Sequence, residues 1–267
     1  MPEFIHAIPV IELAVYFSIA SVGVVLVGLV LVKPLLRLVI GRGDPAINDT
    51  ISHGTGSYAL FYALLVGLLT VAAYQNKERV EQNILREAAA VGGLYSDMGV
   101  YPEPLRSDMR ELLRDYVLFT IHKDWPAHGV GEVMNGGVNR VDAMRQVLAS
   151  FEPASASQQI VHAEVIRSFG EFSNARQQRL SGVATRIPDI LWYAVAVGAL
   201  VNLLILLMLR MKPLAHFLLG SISAFFLGVI LFVIVVLDDP LRGESGLRPQ
   251  AFELLWERQM RWDEPLV

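Results

Sequence analysis

Four stretches of nearly charge-free apolar sequence dominate the chain: Leu13 to Val32, Tyr58 to Tyr74, Ile190 to Leu209 and Leu214 to Leu237. Each approaches the roughly 20 residues that a helix needs to cross hydrocarbon. Lipid cannot satisfy open backbone groups, so only helices and closed barrels span it. No segment shows sustained two-residue alternation, which leaves helices. The fold class is therefore an all-α, polytopic integral membrane protein with four transmembrane helices in two hairpins. A helical extramembrane domain lies between the hairpins. The expected boundaries are 1–76 for the first hairpin, 77–187 for the domain, 188–237 for the second hairpin and 238–267 for a C-terminal tail.

Composition agrees, with 54% hydrophobic residues and a mean hydropathy of +0.46. The net charge of −4 gives no reason to expect a nucleic-acid partner. The absence of cysteine excludes disulfides, thiolate zinc sites and thiol catalysis. Before the first apolar run stand Glu3 and Glu12 and no Lys or Arg, and no small-residue cleavage site comes after it. That run therefore reads as a membrane helix rather than a cleaved signal.

Lys33, Arg37 and Arg42 come after the first span, and a polar connection from Gly41 to Thr55 leads into the second. Val80, Ile84, Ala88, Val91 and Tyr95 keep three- and four-residue spacing, so the second helix should leave the membrane and end near Gly92–Gly93 or Pro102–Pro104. Leu105, Met109, Leu112, Tyr116 and Phe119 mark the next helix. Gly129 to Gly137 reads as a loop, and Val141, Met144, Leu148 and Phe151 as another helix. Ser155 or Ser157 can cap a long helix carrying Val161, Val165, Phe169 and Phe172. Phe252 and Trp256 suggest an amphipathic turn in the tail.

Both short connections are basic, through Lys33, Arg37 and Arg42 on one and Arg210 and Lys212 on the other. The positive-inside rule then puts the extramembrane domain outside the cytoplasm of a bacterial inner membrane. Lys77, Arg79, Arg176, Arg179 and Arg186 on the domain side oppose that placement.

Small or short polar residues recur at four-residue spacing in three spans: Ala59, Ala63 and Gly67; Ala194, Gly198 and Asn202; Gly220, Ala224 and Gly228. Such faces let helix backbones approach closely, so they are expected packing contacts. Tyr58, Phe61, Leu65 and Leu68 form the bulky face of the second helix. In an oligomer they could line an apolar constriction that gates by dewetting; in the plainer reading they face lipid. Asn202 and His216 are the strongly polar side chains within spans. Asp238 and Asp239 could offer oxygen ligands to a cation, although adjacent aspartates more often form a solvated helix end. The histidines, His6, His53, His122, His128, His162 and His216, have no ligand spacing. Nothing points to an enzyme, a cofactor or a resident metal.

A set of short motifs occurs in order along residues 55 to 250: Tyr62 to Gly67, Arg86-Glu87-Ala88, Leu94-Tyr95, Leu113-Arg114-Asp115-Tyr116, Trp125-Pro126, Arg176 to Leu180, Ile187-Pro188, Leu191-Trp192 and Leu237-Asp238-Asp239-Pro240 with Gly243. By these the chain resembles the bestrophin-like family of bacterial membrane proteins, named for its likeness to bestrophin chloride channels. The resemblance implies a homo-oligomer, a pentamer if it is like the bestrophins, with an ion path lined by the second span. It also implies a cytoplasmic domain, against the charge reading. An acidic calcium clasp after the last span is implied too, and is reduced here to Asp238, Asp239 and Glu244. The competing reading is a non-conducting scaffold or sensor whose domain binds an unknown protein partner, favoured by the lack of charge inside the spans. Oligomerisation within the lipid bilayer is expected under both.

Overall fold

A computed structural model of the chain describes residues 8–40 and 47–261. Residues 41–46, Arg42 among them, His6 and the last six residues lie outside the described residues, as does the side chain of Arg37. The described residues are overwhelmingly helical and contain no strand. Four helices are long and apolar enough to cross a membrane: Val10–Leu36, His53–Val100, Asp189–Met208 and Pro213–Asp238. The chain divides into two compact units, Met1–Asn76 with Arg186–Asp238, and Lys77–Thr185 with Asp239–Val267.

In the membrane unit, α1 (Val10–Val27) runs through a π-helical turn (Gly28–Val32) into α2 (Lys33–Ile40). It packs along α9 (Pro213–Asp238). The reason is the four-residue stripe on α9. A side chain at Gly228 would start 2.8 Å from the Phe17 carbonyl oxygen, and one at Gly220 would start 3.1 Å from Val25. With Ala224 buried between them, the two backbones approach as small residues allow. Pro213 opens α9 at a position where the missing N–H matters least.

The helix α3 (Ile47–Asp97) begins earlier than the polar residues suggested and runs straight through Gly92 and Gly93. Ser, Thr, Asn and Gly before Tyr58 are poor helix formers, but the segment is continuous with a strongly helical one and inherits its turns. At Gly92 the reason for glycine is contact: a Cβ there would lie 2.9 Å from Leu255. In the membrane unit, α3 meets α8 (Asp189–Met208) through tyrosine on glycine. Tyr58 donates to the Gly198 carbonyl, Tyr62 donates to that of Val195 at 3.3 Å, and the two rings stack. Val66, Leu69, Val195 and Ile234 form the small core beneath them.

The extramembrane unit is built from the C-terminal half of α3 with α4 (Leu105–Phe119), α5 (Trp125–Gly129), α6 (Gly136–Ala149), α7 (Ala156–Ala184) and α10 (Gln250–Leu255). Its core takes Val91 and Leu94 from α3, Met109, Leu113 and Tyr116 from α4, Met144 and Leu148 from α6, and Phe169 and Phe172 from α7. The inward position on α4 is Leu113 rather than Leu112, which is only half-buried, and Val161 of α7 is exposed. The glycine-rich stretch expected as a loop contributes the start of α6. Ser155 caps α7, accepting from the Gln158 N–H at 3.2 Å. The C-terminal residues are part of this unit: Phe252 and Met260 are fully enclosed, and Leu247 accepts the Trp125 indole N–H at 2.8 Å.

Candidate functional site

Two features stand apart from ordinary packing. The first is the outer face of α3 within the membrane unit. Tyr58 and Leu65 are half-buried, whereas Phe61 is 69% exposed and Leu68 61%. The small residues Ala59, Ala63 and Gly67 are exposed too, and nothing lies within 4 Å of where a side chain at Gly67 would begin. Among the described residues this small stripe has no helix against it. The other two stripes do: Gly198 receives Tyr62, and Gly220, Ala224 and Gly228 receive α1. Ala194 and Asn202 are half-buried, and Asn202 lines an apolar cavity of about 640 Å³ between α1, α8 and α9.

His216 is buried against Lys33, whose ammonium group points at Nδ1, while its Nε2 faces the Leu206 carbonyl at 2.9 Å. A Lys donates only, so Nδ1 accepts and the Nε2 proton goes to Leu206. Lys33 therefore lies inside the protein at the carbonyl end of α8, where a helix dipole favours a cation. The sequence placed it among solvent-facing charges, and the spans were expected to bury none. Lys33, one residue beyond the apolar run, is nevertheless buried, within the helical stretch Val10–Leu36. Asp238 accepts the Ile187 N–H at 2.6 Å and the Trp192 indole N–H at 3.3 Å. Its carboxylate thus secures the entry into α8. Asp239 is buried as well, in the other unit. Among the described residues, no group of three or more His, Asp or Glu side chains is placed to hold a metal.

The second feature, in the extramembrane unit, was missed in the sequence. Arg179 of α7 has no exposed surface. Its Nε donates to Glu87 Oε2 at 2.6 Å and its Nη2 to Glu87 Oε1 at 3.2 Å, a two-pronged pair with α3. Nη2 also lies 3.4 Å from Asp124 Oδ2. The Tyr116 hydroxyl of α4 donates to Glu87, and burial followed by the Glu87 charge pushes that phenol well above its usual range. Nη1 of Arg179 lies 2.5 Å from His128 Nε2. Trp125 and Phe252 flank the guanidinium, their rings 5.6 Å and 5.9 Å from its carbon. Asp124 owes its place to a π-helical turn, Thr120–Asp124, between α4 and α5. Arg176, one turn before Arg179, is buried with its Nε and Nη2 unbonded.

The architecture so far is that of a four-span helical membrane protein carrying a folded extramembrane unit. The Bestrophin-like domain model matches residues 20–252, and the chain belongs to that family. Among solved structures it is similar to a mutated form of a bacterial bestrophin homologue from Klebsiella pneumoniae, with a TM-score of 0.61 at 10% identity, covering 91% of this chain and 98% of that one. A substituted form of a protein described as a membrane protein matches with the same TM-score and identity, over 91% of this chain and 97% of that one. At this identity the likeness establishes a shared fold. No curated protein matches the chain.

Proposed function

We propose that the chain is one subunit of a homo-oligomeric membrane channel, conducting anions along a path lined by α3. The observation that carries this reading is the outer face of α3. Among the described residues, its bulky residues Phe61 and Leu68, and on the opposite side of the helix its small residues Ala59, Ala63 and Gly67, have no partner helix. Helices with small faces associate in lipid by close packing, so this stripe suits a neighbouring copy. The bulky residues then turn toward a shared axis. Closed rings are the usual result for identical subunits, and the bestrophin resemblance supports five. Tyr58, named with the pore face, is turned to α8 by its bond to Gly198; Phe61, Leu65 and Leu68 remain as the constriction.

Purified protein in planar bilayers should conduct, and Phe61→Ala should change the unitary conductance. A silent bilayer, together with particle images of a monodisperse monomer, would remove the proposal. The scaffold reading keeps one supporting observation: a groove of about 570 Å³ between α3 and α7, rimmed by Arg86, Asp97 and Glu171. Recovery of a stoichiometric foreign partner, lost when Arg86 and Glu171 are both reversed in charge, would favour it.

A further inference from the structure

His128 lies near the end of α5 and is fully buried. Its two ring nitrogens have different partners. Nδ1 faces the Glu132 carbonyl oxygen at 3.0 Å, which can only accept, so Nδ1 carries the proton. Nε2 faces Arg179 Nη1, which can only donate, so Nε2 offers its lone pair. The ring is neutral and ties the turn after α5 to α7.

The groups that face it come from every neighbouring element. Arg179 stands on α7, Glu87 on α3, Tyr116 on α4, and Asp124 and Trp125 where α5 begins. From the C-terminal segment, Arg242 lays its guanidinium over Gly131, in the turn after α5. Glu87 is already held by both Arg179 and Tyr116. Asp124 Oδ1 has no hydrogen-bond partner.

We propose that His128 is a pH-operated latch, which on taking a proton at Nε2 lets go of Arg179 and frees the segment from Trp125 to Asn135 from α7. A protonated Nε2 is a donor facing a donor, with a second cation brought against a buried guanidinium. The contact must open. Asp124 Oδ1 is the carboxylate oxygen in the cluster with capacity to receive the imidazolium. Burial, and after it the charge of Arg179, holds the imidazole below its ordinary value. That depression sets the direction of the pH effect. The unfolded chain takes up this proton near pH 6.5 and the folded one does so lower, so the tie is intact above about 6.5 and weakens as pH falls below it.

The test is amide hydrogen exchange on the full chain in detergent at pH 7.5 and 5.5, with exposure times scaled for intrinsic exchange. Residues 125–137 should lose protection about tenfold at the lower pH, while α1, which carries no histidine, does not change. His128→Gln keeps an acceptor for Arg179 and cannot titrate, so its protection should be the same at both values. Equal loss in this variant, or no loss in the wild type, overturns the latch. If the variant does not fold, NMR titration of the wild-type ring decides. Protonation at about the ordinary histidine value of 6.5, with residues 125–137 still protected, also overturns it. Protonation below that value, in step with the loss of protection, supports it.

Discussion

The membrane unit and the extramembrane unit hold long helices together with opposite materials. In the first, the contacts are made on glycine: Gly228 lies on the Phe17 backbone, Gly220 takes the Val25 side chain and Gly198 the Tyr62 ring. In the second, the contacts are made by bulk, by Phe169, Phe172, Met109 and Met144, and the centre is a charge cluster of Arg179, Glu87 and Asp124. Solvent explains the contrast. Lipid tails are as apolar as leucine, so large apolar side chains gain nothing by leaving them, and attraction comes from close approach. In water, apolar burial itself drives packing, and a core so stabilised can enclose charges if each is matched. Lys33 and His216 show that the membrane unit also buries polar groups, there beside the carbonyl end of α8.

The contrast can be attacked from the extramembrane side first. Arg179→Ala leaves Glu87 and Asp124 enclosed without their cation, which by the usual cost of breaking a buried pair removes about 3–5 kcal/mol. The extramembrane unit should melt far earlier, while exchange protection of α1 and α9 is retained. A near-normal melt would mean that water reaches the cluster. Next in size is Gly228→Leu, which drives a side chain into the Phe17 carbonyl and should cost about 1–3 kcal/mol by overpacking. Here the pattern reverses, with α1 and α9 losing protection and the extramembrane core unaffected.

Gly67→Leu sharpens the difference within the membrane unit. Among the described residues nothing opposes a side chain at this position, so monomer stability should hold while crosslinking detects fewer associated copies. Unchanged assembly would show that the exposed stripe of α3 faces lipid. The smallest effect belongs to Arg167→Ala. Its partners Glu164 and Glu171 are solvent-exposed, and exposed pairs contribute little. The melt of the extramembrane unit should not move measurably; a clear drop would mean that this face is covered.

Periodicity made the elements legible. The spacing of Val80, Ile84, Ala88 and Val91 alone carries α3 out of the membrane, and those residues are buried as the spacing demands. Boundaries were harder where glycine sat in contact rather than in a turn: Gly92 and Gly137 both lie in helices, and each is glycine because a neighbour occupies the space a side chain would need. Lys33 misled because charge near a span end reads as exposed, and only the position of His216, remote in sequence, reveals its burial. The Arg179 cluster does leave a signal in the sequence. Glu87 falls between Ile84 and Val91 on the inward stripe of α3. Arg176 and Arg179 continue the inward series of Phe169 and Phe172 on α7. Opposite charges at core positions of two helices anticipate a buried pair; which carboxylate meets which arginine depends on tertiary packing that periodicity does not contain.

The π-helical turn at Thr120–Asp124 has a consequence for how this sequence can diverge. Such a turn holds one residue more than the α-helical path between the same two ends. Losing a single residue there would restore a regular helix between the same two ends, so α4 and α5 would keep their relative rotation. Asp124, Trp125 and His128 would stay with the Arg179 cluster. A deletion inside α4 itself has no such reserve and would rotate everything beyond it by about 100°. Lineages that keep Arg179 and Glu87 should therefore accept a one-residue deletion between Phe119 and Asp124 more readily than one between Leu113 and Phe119.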